Sequence, residues 1–337
     1  MKNKPFYITH IIPPALLSEL ACTPEMTRLK DIGMHCGCDY TSFSVYDNAR
    51  CYYSRYMHSV DVANIVWNFT QNITQAVAGL LHDIATPAFA HTIDFLYGDY
   101  VTQESTEDKT ADIIQNSKEI MAILKRHSIK VSDVCDYHKY PIADNDTPML
   151  CADRLEYTLG NGYIVYNMDL AEIKAMYDNL TVSKNENGID ELCFMSAQSA
   201  CKFVELSLKN SYLFISDENR FVMQYLADVV QAAITEKIIS IDDLYTTETA
   251  VIKRLKADHK TCAMWDMYTK ISAVAAADIK VPDIYSLKIP AKKRYIDPLV
   301  LINNQPQRIS TIDETIRKKI NAFLSLDFNR WVYSVTP

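Results

Sequence analysis

Four side chains of this 337-residue chain have the types needed to share one cation: His58, the adjacent pair His82-Asp83, and Asp153. Two imidazoles and two carboxylates suit a borderline or hard divalent ion such as Mn²⁺, Fe²⁺, Ni²⁺, Zn²⁺ or Mg²⁺, and ligand type alone does not choose among them. All four lie beside apolar stripes. An unpartnered carboxylate or imidazole is costly there, and a divalent cation is a natural common partner. His35-Cys36-Gly37-Cys38 is a rival pattern, but no second ligand pair stands at zinc spacing, so no zinc is expected. His127 and His138 lie in polar stretches (KRHSIK and DYHKYP) and read as surface histidines. Lys292-Lys293-Arg294 reads as a solvated basic run.

The elements that must position these residues read as helices. From Tyr56, the residues Met57, Val60, Asn64 and Trp67 fall on one stripe, which places His58 within a helix. A second helix is expected from about Thr74 to Ile84, ending before Pro87, with His82 and Asp83 in its last turn. Thr147-Pro148 is expected to open the helix that carries Asp153, and Gly160-Asn161-Gly162 to close it. Further helices are expected over 24–34, 109–126, 169–180, 195–214, 218–238, 241–255, 258–276 and 312–325. Residues 38–56 read as a connecting segment. Residues 278–311 carry four prolines and short β-prone pieces, and read as a small strand-bearing appendage.

Composition narrows the function classes. Only seven glycines are present, and no three of them form GxGxxG or a P-loop. Backbone cradles for phosphate are thereby excluded, so anion binding would fall to a metal and to arginines. Glycine poverty also argues against a many-turned all-β fold. A net charge of -8 argues against general affinity for nucleic acid or anionic membrane. No apolar run reaches membrane length and no leader pattern is visible. The nine cysteines lack framework spacing; they read as reduced thiols, and a cytoplasmic location is expected.

The pattern H…HD…D on successive helices resembles the HD superfamily of metal-dependent phosphohydrolases. Four stretches resemble its deoxynucleoside triphosphate triphosphohydrolase branch: TPEMTRLKDIG (23–33), SRYMHSVDVA (54–63), LLHDIATPAFAHTIDF (80–95) and ADRLEYTL (152–159). RYIDPLV (294–300) echoes a C-terminal segment of that branch more faintly. The likeness is good over about residues 20–165 and only outlined beyond. It implies that His58, His82, Asp83 and Asp153 hold one divalent metal. It implies that Arg55 and Arg154 contact substrate phosphate, that Tyr157 lines a sugar pocket, and that His91 with Asp94 handles a proton near phosphorus. Relatives assemble, so a homo-oligomer is expected, with the C-terminal segment as interface.

The implied architecture is all-α: an HD-domain helical core over 1–215, then a helical C-terminal region over 216–337 holding the β-prone segment. The implied function is hydrolysis of a nucleotide, a deoxynucleoside triphosphate among the choices, or of a related phosphate ester. Two departures stand out. Ala85-Thr86 replaces the family's Gly-His, and Thr106-Glu107 stands where a His-Glu pair is usual. In relatives those histidines contact phosphate and assist proton transfer. The alternative is therefore a nucleotide sensor that keeps the metal and the arginines without turnover. A di-iron oxygenase on the same fold would need the extra histidines read here as surface residues.

Overall fold

A computed structural model describes residues 7–9, 12–103 and 109–335. Thr106-Glu107, one of the two departures noted above, lies outside the described residues. Among them are sixteen α-helices and seven strands in two small sheets, so the architecture is helix-dominated but not all-α.

Local chemistry explains where the central helices begin and end. Ser54 caps the Arg55–Thr70 helix, its hydroxyl accepting from Met57 N at 3.3 Å. The helix therefore begins three residues before His58, as cap preference would have it. Asn72 caps the Ile73–Leu81 helix through the amides of Thr74 and Gln75. That helix stops at Leu81, short of the expected Ile84. Arg28 captures the carbonyls of Ile84 (3.0 Å) and Thr86 (2.8 Å), so the chain turns and leaves His82-Asp83 on the exit.

The third helix departs from expectation at both ends. It spans Ala152–Ile164, while Thr147-Pro148 occupies the centre of a turn closed by Met149 N and the Asp146 carbonyl at 2.9 Å. Gly160 and Gly162 do not end it, because they serve packing. A Cβ at Gly160 would meet Tyr53 Oη at 2.2 Å, and one at Gly162 would meet Leu206 Cδ2 at 2.8 Å. The amphipathic stretch 109–126 is likewise two helices, Thr110–Asn116 and Lys118–Arg126, because Ser117 caps the second.

The strands correct the all-α expectation. One sheet has the order β1 (Leu180–Lys184), β2 (Asp190–Phe194), β5 (Leu299–Ile302), β6 (Gln305–Arg308). The other has the order β3 (Val274–Ala277), β7 (Trp331–Ser334), β4 (Ser286–Leu287). The β5–β6 hairpin turns on Asn303 and Asn304, both at positive φ (50° and 62°). Asparagine tolerates that left-handed conformation, so a glycine count cannot exclude such a turn. β2 and β5 pair in parallel, Cys193 opposite Leu299, which stitches the chain beyond residue 290 onto the helical core. One apolar cluster runs from Ile8 to Val332.

Candidate metal centre and active site

The Arg55–Thr70 and Ala152–Ile164 helices and the turn after Leu81 bring His58, Asp153, His82 and Asp83 together. His58 Nε2 lies 2.9 Å from Asp153 Oδ1 and 3.2 Å from His82 Nε2. Asp83 Oδ2 lies 3.5 Å from His82 Nε2 and 3.9 Å from His58 Nε2. Both imidazoles have their far nitrogens tied down. His82 Nδ1 donates to the Gly79 carbonyl at 2.7 Å, and His58 Nδ1 donates to the buried Glu156 carboxylate, which also accepts from Tyr53 O–H. With those protons assigned, each Nε2 turns a lone pair toward the shared point, the arrangement by which carboxylates and carbonyls orient metal-binding histidines. Donor atoms about 3–4 Å apart fit around one ion with bonds near 2.0–2.2 Å.

Electrostatics agree that this point wants positive charge. Burial alone would lower the His58 imidazole, yet Glu156 and Asp153 more than reverse it and push it up to about 10, so that without an ion Nε2 holds a proton that a bound cation would displace. Burial would raise the Asp83 carboxyl, but Arg55 and the two imidazoles hold it well below the usual carboxylate range. Asp153 is likewise drawn down to about 2 by its bond to His58, against burial. His58, His82 and Asp83 offer ligand atoms all within 4.8 Å of one another and so fit a divalent cation, while Asp153 Oδ1 approaches the two imidazoles at 2.9 and 3.7 Å. A second group, Asp144, Cys151 and Asp153, also clusters closely enough for a metal. Arg154 occupies its margin, 3.6 Å from Asp144 and 3.4 Å from Cys151 Sγ.

The quartet lies in the wall of a cavity of about 510 Å³, a size for a small organic ligand. His91 and Asp94 are paired as expected, His91 Nδ1 donating to Asp94 Oδ2 at 2.9 Å with Asp94 fully buried. Burial, aided by the nearby Arg294 and Arg55, lowers the His91 imidazole despite Asp94, so His91 is neutral at pH 7 and Nε2 is an acceptor. The turn that presents it is strained: Phe89 and Ala90 both have positive φ (65° and 45°), at about 1–3 kcal/mol each. It is pinned by Ala88 N to the Leu244 carbonyl (2.7 Å), Thr92 Oγ1 to the Cys36 carbonyl (2.8 Å), and Phe89 N to Glu248 (3.2 Å).

The arginines and Tyr157 all line the cavity, with different commitments. Arg55 donates to both oxygens of Asp83 (3.2 and 3.0 Å). Thr86, standing where the resembled family has histidine, donates to the same carboxylate at 2.9 Å. Arg154 gives its donors to Asn145 and to the Met149 carbonyl, bracing the 144–151 loop. Tyr157 packs edge-on to Phe214, ring centroids 6.1 Å apart.

Several wall residues were not anticipated. His35 is buried, bonds Asn161 Oδ1 at 3.1 Å and packs on Tyr46, whose hydroxyl reaches Asn219 at 3.3 Å. Glu156 could have been found, since it follows Asp153 by three residues and shares its helical face. Arg294, expected in a solvated run, instead lines the cavity and donates to Gln103 Oε1 at 2.7 Å. Lys292 and Lys293 bond the carbonyls of Thr102 and of Leu324 and Leu326. His138 is half-exposed at the cavity mouth, 3.3 Å from Asp144.

No protein-family model matches the chain. The uncharacterized protein YdhJ of Bacillus subtilis (strain 168) is 29% identical over 311 residues, spanning 90% of this chain and 89% of YdhJ. The metal-dependent phosphohydrolase cns2 of Cordyceps militaris is 26% identical over 153 residues, 45% of this chain and 42% of cns2. Two solved structures share the fold. A hypothetical protein from Aquifex aeolicus superposes with a TM-score of 0.65 at 16% identity, covering 96% of this chain and 93% of its own. A phosphohydrolase from Bacteroides thetaiotaomicron VPI-5482 gives 0.63 at 14% identity, covering 97% of each. Among the described residues, no helix is long and apolar enough to cross a membrane.

Proposed function

We propose that this chain is a metal-dependent phosphohydrolase of the HD type, acting on a nucleotide or a related small phosphate ester. The observation that carries the reading is the convergence of His58 and His82 Nε2 on the carboxylates of Asp83 and Asp153 in the wall of a cavity that also holds His91. The similarity to the Cordyceps and Bacteroides phosphohydrolases supports the same class.

A divalent ion held by the quartet would supply an acidified water and positive charge for the phosphate oxygens. The remaining work belongs to the chain's own side chains. Arg55 and Thr86 fix the Asp83 carboxylate, and Glu156 fixes the His58 ring. Neutral His91, oriented by Asp94, accepts a proton at Nε2. Tyr157, Phe214 and Tyr46 offer aromatic surface to the organic part of the ester, and Asn161 and Asn219 offer amides. Membrane and nucleic-acid partners have no place in this reading, whereas a homo-oligomer remains part of it.

A metal-by-substrate screen tests the proposal. Protein loaded with Mn²⁺, Fe²⁺, Ni²⁺, Zn²⁺ or Mg²⁺ should release phosphate from at least one nucleotide or phosphomonoester, and Asp83→Asn should abolish the release. Failure of every pairing rejects it. One observation favours the second reading, a nucleotide sensor without turnover: Thr86 is spent on Asp83 and cannot replace the missing imidazole. That reading predicts a ligand-dependent rise in melting temperature with no product.

A further inference from the structure

The wall of the cavity carries four arginines, and three of them are already neutralised. Arg55 is paired with Asp83 at 3.0 Å, Arg154 lies 3.6 Å from Asp144, and Arg220 is bound to Asp217. Arg220 is further held by the carbonyls of Ile215 (3.1 Å) and Ile289 (2.6 Å). Arg294 differs. Its hydrogen bond goes to the neutral amide oxygen of Gln103, and among the described residues no carboxylate lies within ion-pair distance of it. It comes from the segment between β4 and β5, far along the chain from the metal quartet.

Arg294 is half-buried, and a guanidinium that faces a cavity with no carboxylate beside it is left to be completed by an anion from solution. Its position says where that anion would lie. Arg294 lines the same cavity as Tyr157, Cys36, Asp153 and His91. These residues belong to the quartet, to the proton-handling pair and to the wall between them. A phosphoryl group touching Arg294 would thus lie in the cavity that His91 and the metal-ligand cluster also line.

We propose that Arg294 takes the phosphate to be cleaved, and that the site is built for a phosphomonoester and not for a nucleoside triphosphate. The proposal rests on reading the site as a phosphohydrolase. A monoester phosphate brings a charge of about -1.5 to -2, which one uncommitted guanidinium and a divalent ion can match. A triphosphate chain adds two further charged groups, and the arginines that would hold them are spent on Asp83, Asp144 and Asp217. In the reaction, a water oxygen forms a bond to phosphorus as the ester P–O bond breaks. The bonding pair leaves with the alcohol oxygen, which takes up one proton of that water; the products are the free alcohol and inorganic phosphate. Arg294 is the fork of donors best suited to planar contact with two phosphate oxygens.

The test uses the full chain loaded with Mn²⁺, with nucleoside 5′-mono-, di- and triphosphates and p-nitrophenyl phosphate as substrates, and inorganic phosphate as a binding probe in calorimetry. The expected result is monophosphate kcat/KM at least about tenfold above that of the matching triphosphate. Arg294→Met should lower monoester kcat/KM by about 100-fold and weaken phosphate binding by about tenfold or more, with Arg294→Lys intermediate in both. Should Arg294→Met fail to fold, Arg294→Lys keeps the charge and carries the test through its loss of the fork. Preference for triphosphates, or phosphate binding unchanged in the arginine variants, overturns the proposal. If the wild-type protein cleaves nothing, the phosphohydrolase reading fails, while phosphate affinity still decides whether Arg294 binds the anion.

Discussion

Glu248 offers a prediction that reaches from stability to the active site. It is fully buried, far in sequence from His58, His82, Asp83 and Asp153. One carboxylate oxygen accepts from Gly33 N (3.0 Å) and Phe89 N (3.2 Å), the other from the hydroxyls of Tyr40 (2.8 Å) and Tyr52 (3.3 Å). Burial pushes its carboxyl up to about 7, only partly opposed by these donors. The folded state therefore holds the Glu248 proton more tightly than the unfolded chain. Its contribution to stability is fully present below about pH 4.5 and is lost as pH rises through 7. The difference between an ordinary glutamate at 4.5 and about 7 corresponds to about 3 kcal/mol. In Glu248→Gln, the amide oxygen can serve the two backbone N–H groups, and the amide nitrogen can donate to phenol oxygens that rotate to accept. Chemical denaturation of wild type and Glu248→Gln, run side by side from pH 4.5 to 8, cancels all other titrations. The stability advantage of wild type over the variant should shrink by about 3 kcal/mol across that range. Glu248→Ala instead strands two buried amides and should cost about 2–6 kcal/mol. It should also lower turnover, because Phe89 N anchors the turn presenting His91. A pH-independent gap between wild type and Glu248→Gln, or one that widens with pH, would refute the reasoning.

Other outcomes follow from the same geometry. Asp83→Ala should abolish bound metal by elemental analysis and destabilise the fold by about 3–5 kcal/mol, since it leaves buried Arg55 unpaired; Asp83→Asn should lose metal with a smaller penalty. Activity should fall as pH drops through the lowered His91 value, below its usual 6.5, because proton uptake removes the acceptor at Nε2. Asp94→Asn should cut kcat by about 100-fold or more, leaving KM little changed. Gly160→Ala forces a Cβ to within 2.2 Å of Tyr53 Oη, so it should cost about 1–3 kcal/mol and weaken metal binding by displacing Tyr53 from Glu156. Unchanged metal affinity in that variant counts against the chain of contacts from Tyr53 through Glu156 to His58.

The sequence was most legible where local rules act alone. The apolar stripe behind His58 follows from neighbouring residues, whereas the quartet's shared metal and the His91-Asp94 pair were implied by resemblance to the HD superfamily; the structure brings both groups together. What was hidden depends on partners distant along the chain. Gly160 and Gly162 look like a helix stop until Tyr53 and Leu206 are seen against them. Arg28 ends a helix more than 50 residues away by taking two carbonyls. Asn303-Asn304 makes a turn that glycine counting overlooks. Arg294 resembled a surface cation because its neighbours are lysines, and only the pairing of β5 with β2 carries it into the wall.

That pairing also sets an order of events during synthesis. The quartet is complete once Asp153 has left the ribosome, but Arg294 emerges roughly 140 residues later, about 7–30 s at ordinary elongation rates. For that interval the nascent chain already contains every quartet residue but neither Arg294 nor β5. If the proposed site takes an ion at that stage, the metal it holds would reflect which divalent ion is most available in the compartment of translation, as well as which one the closed site prefers.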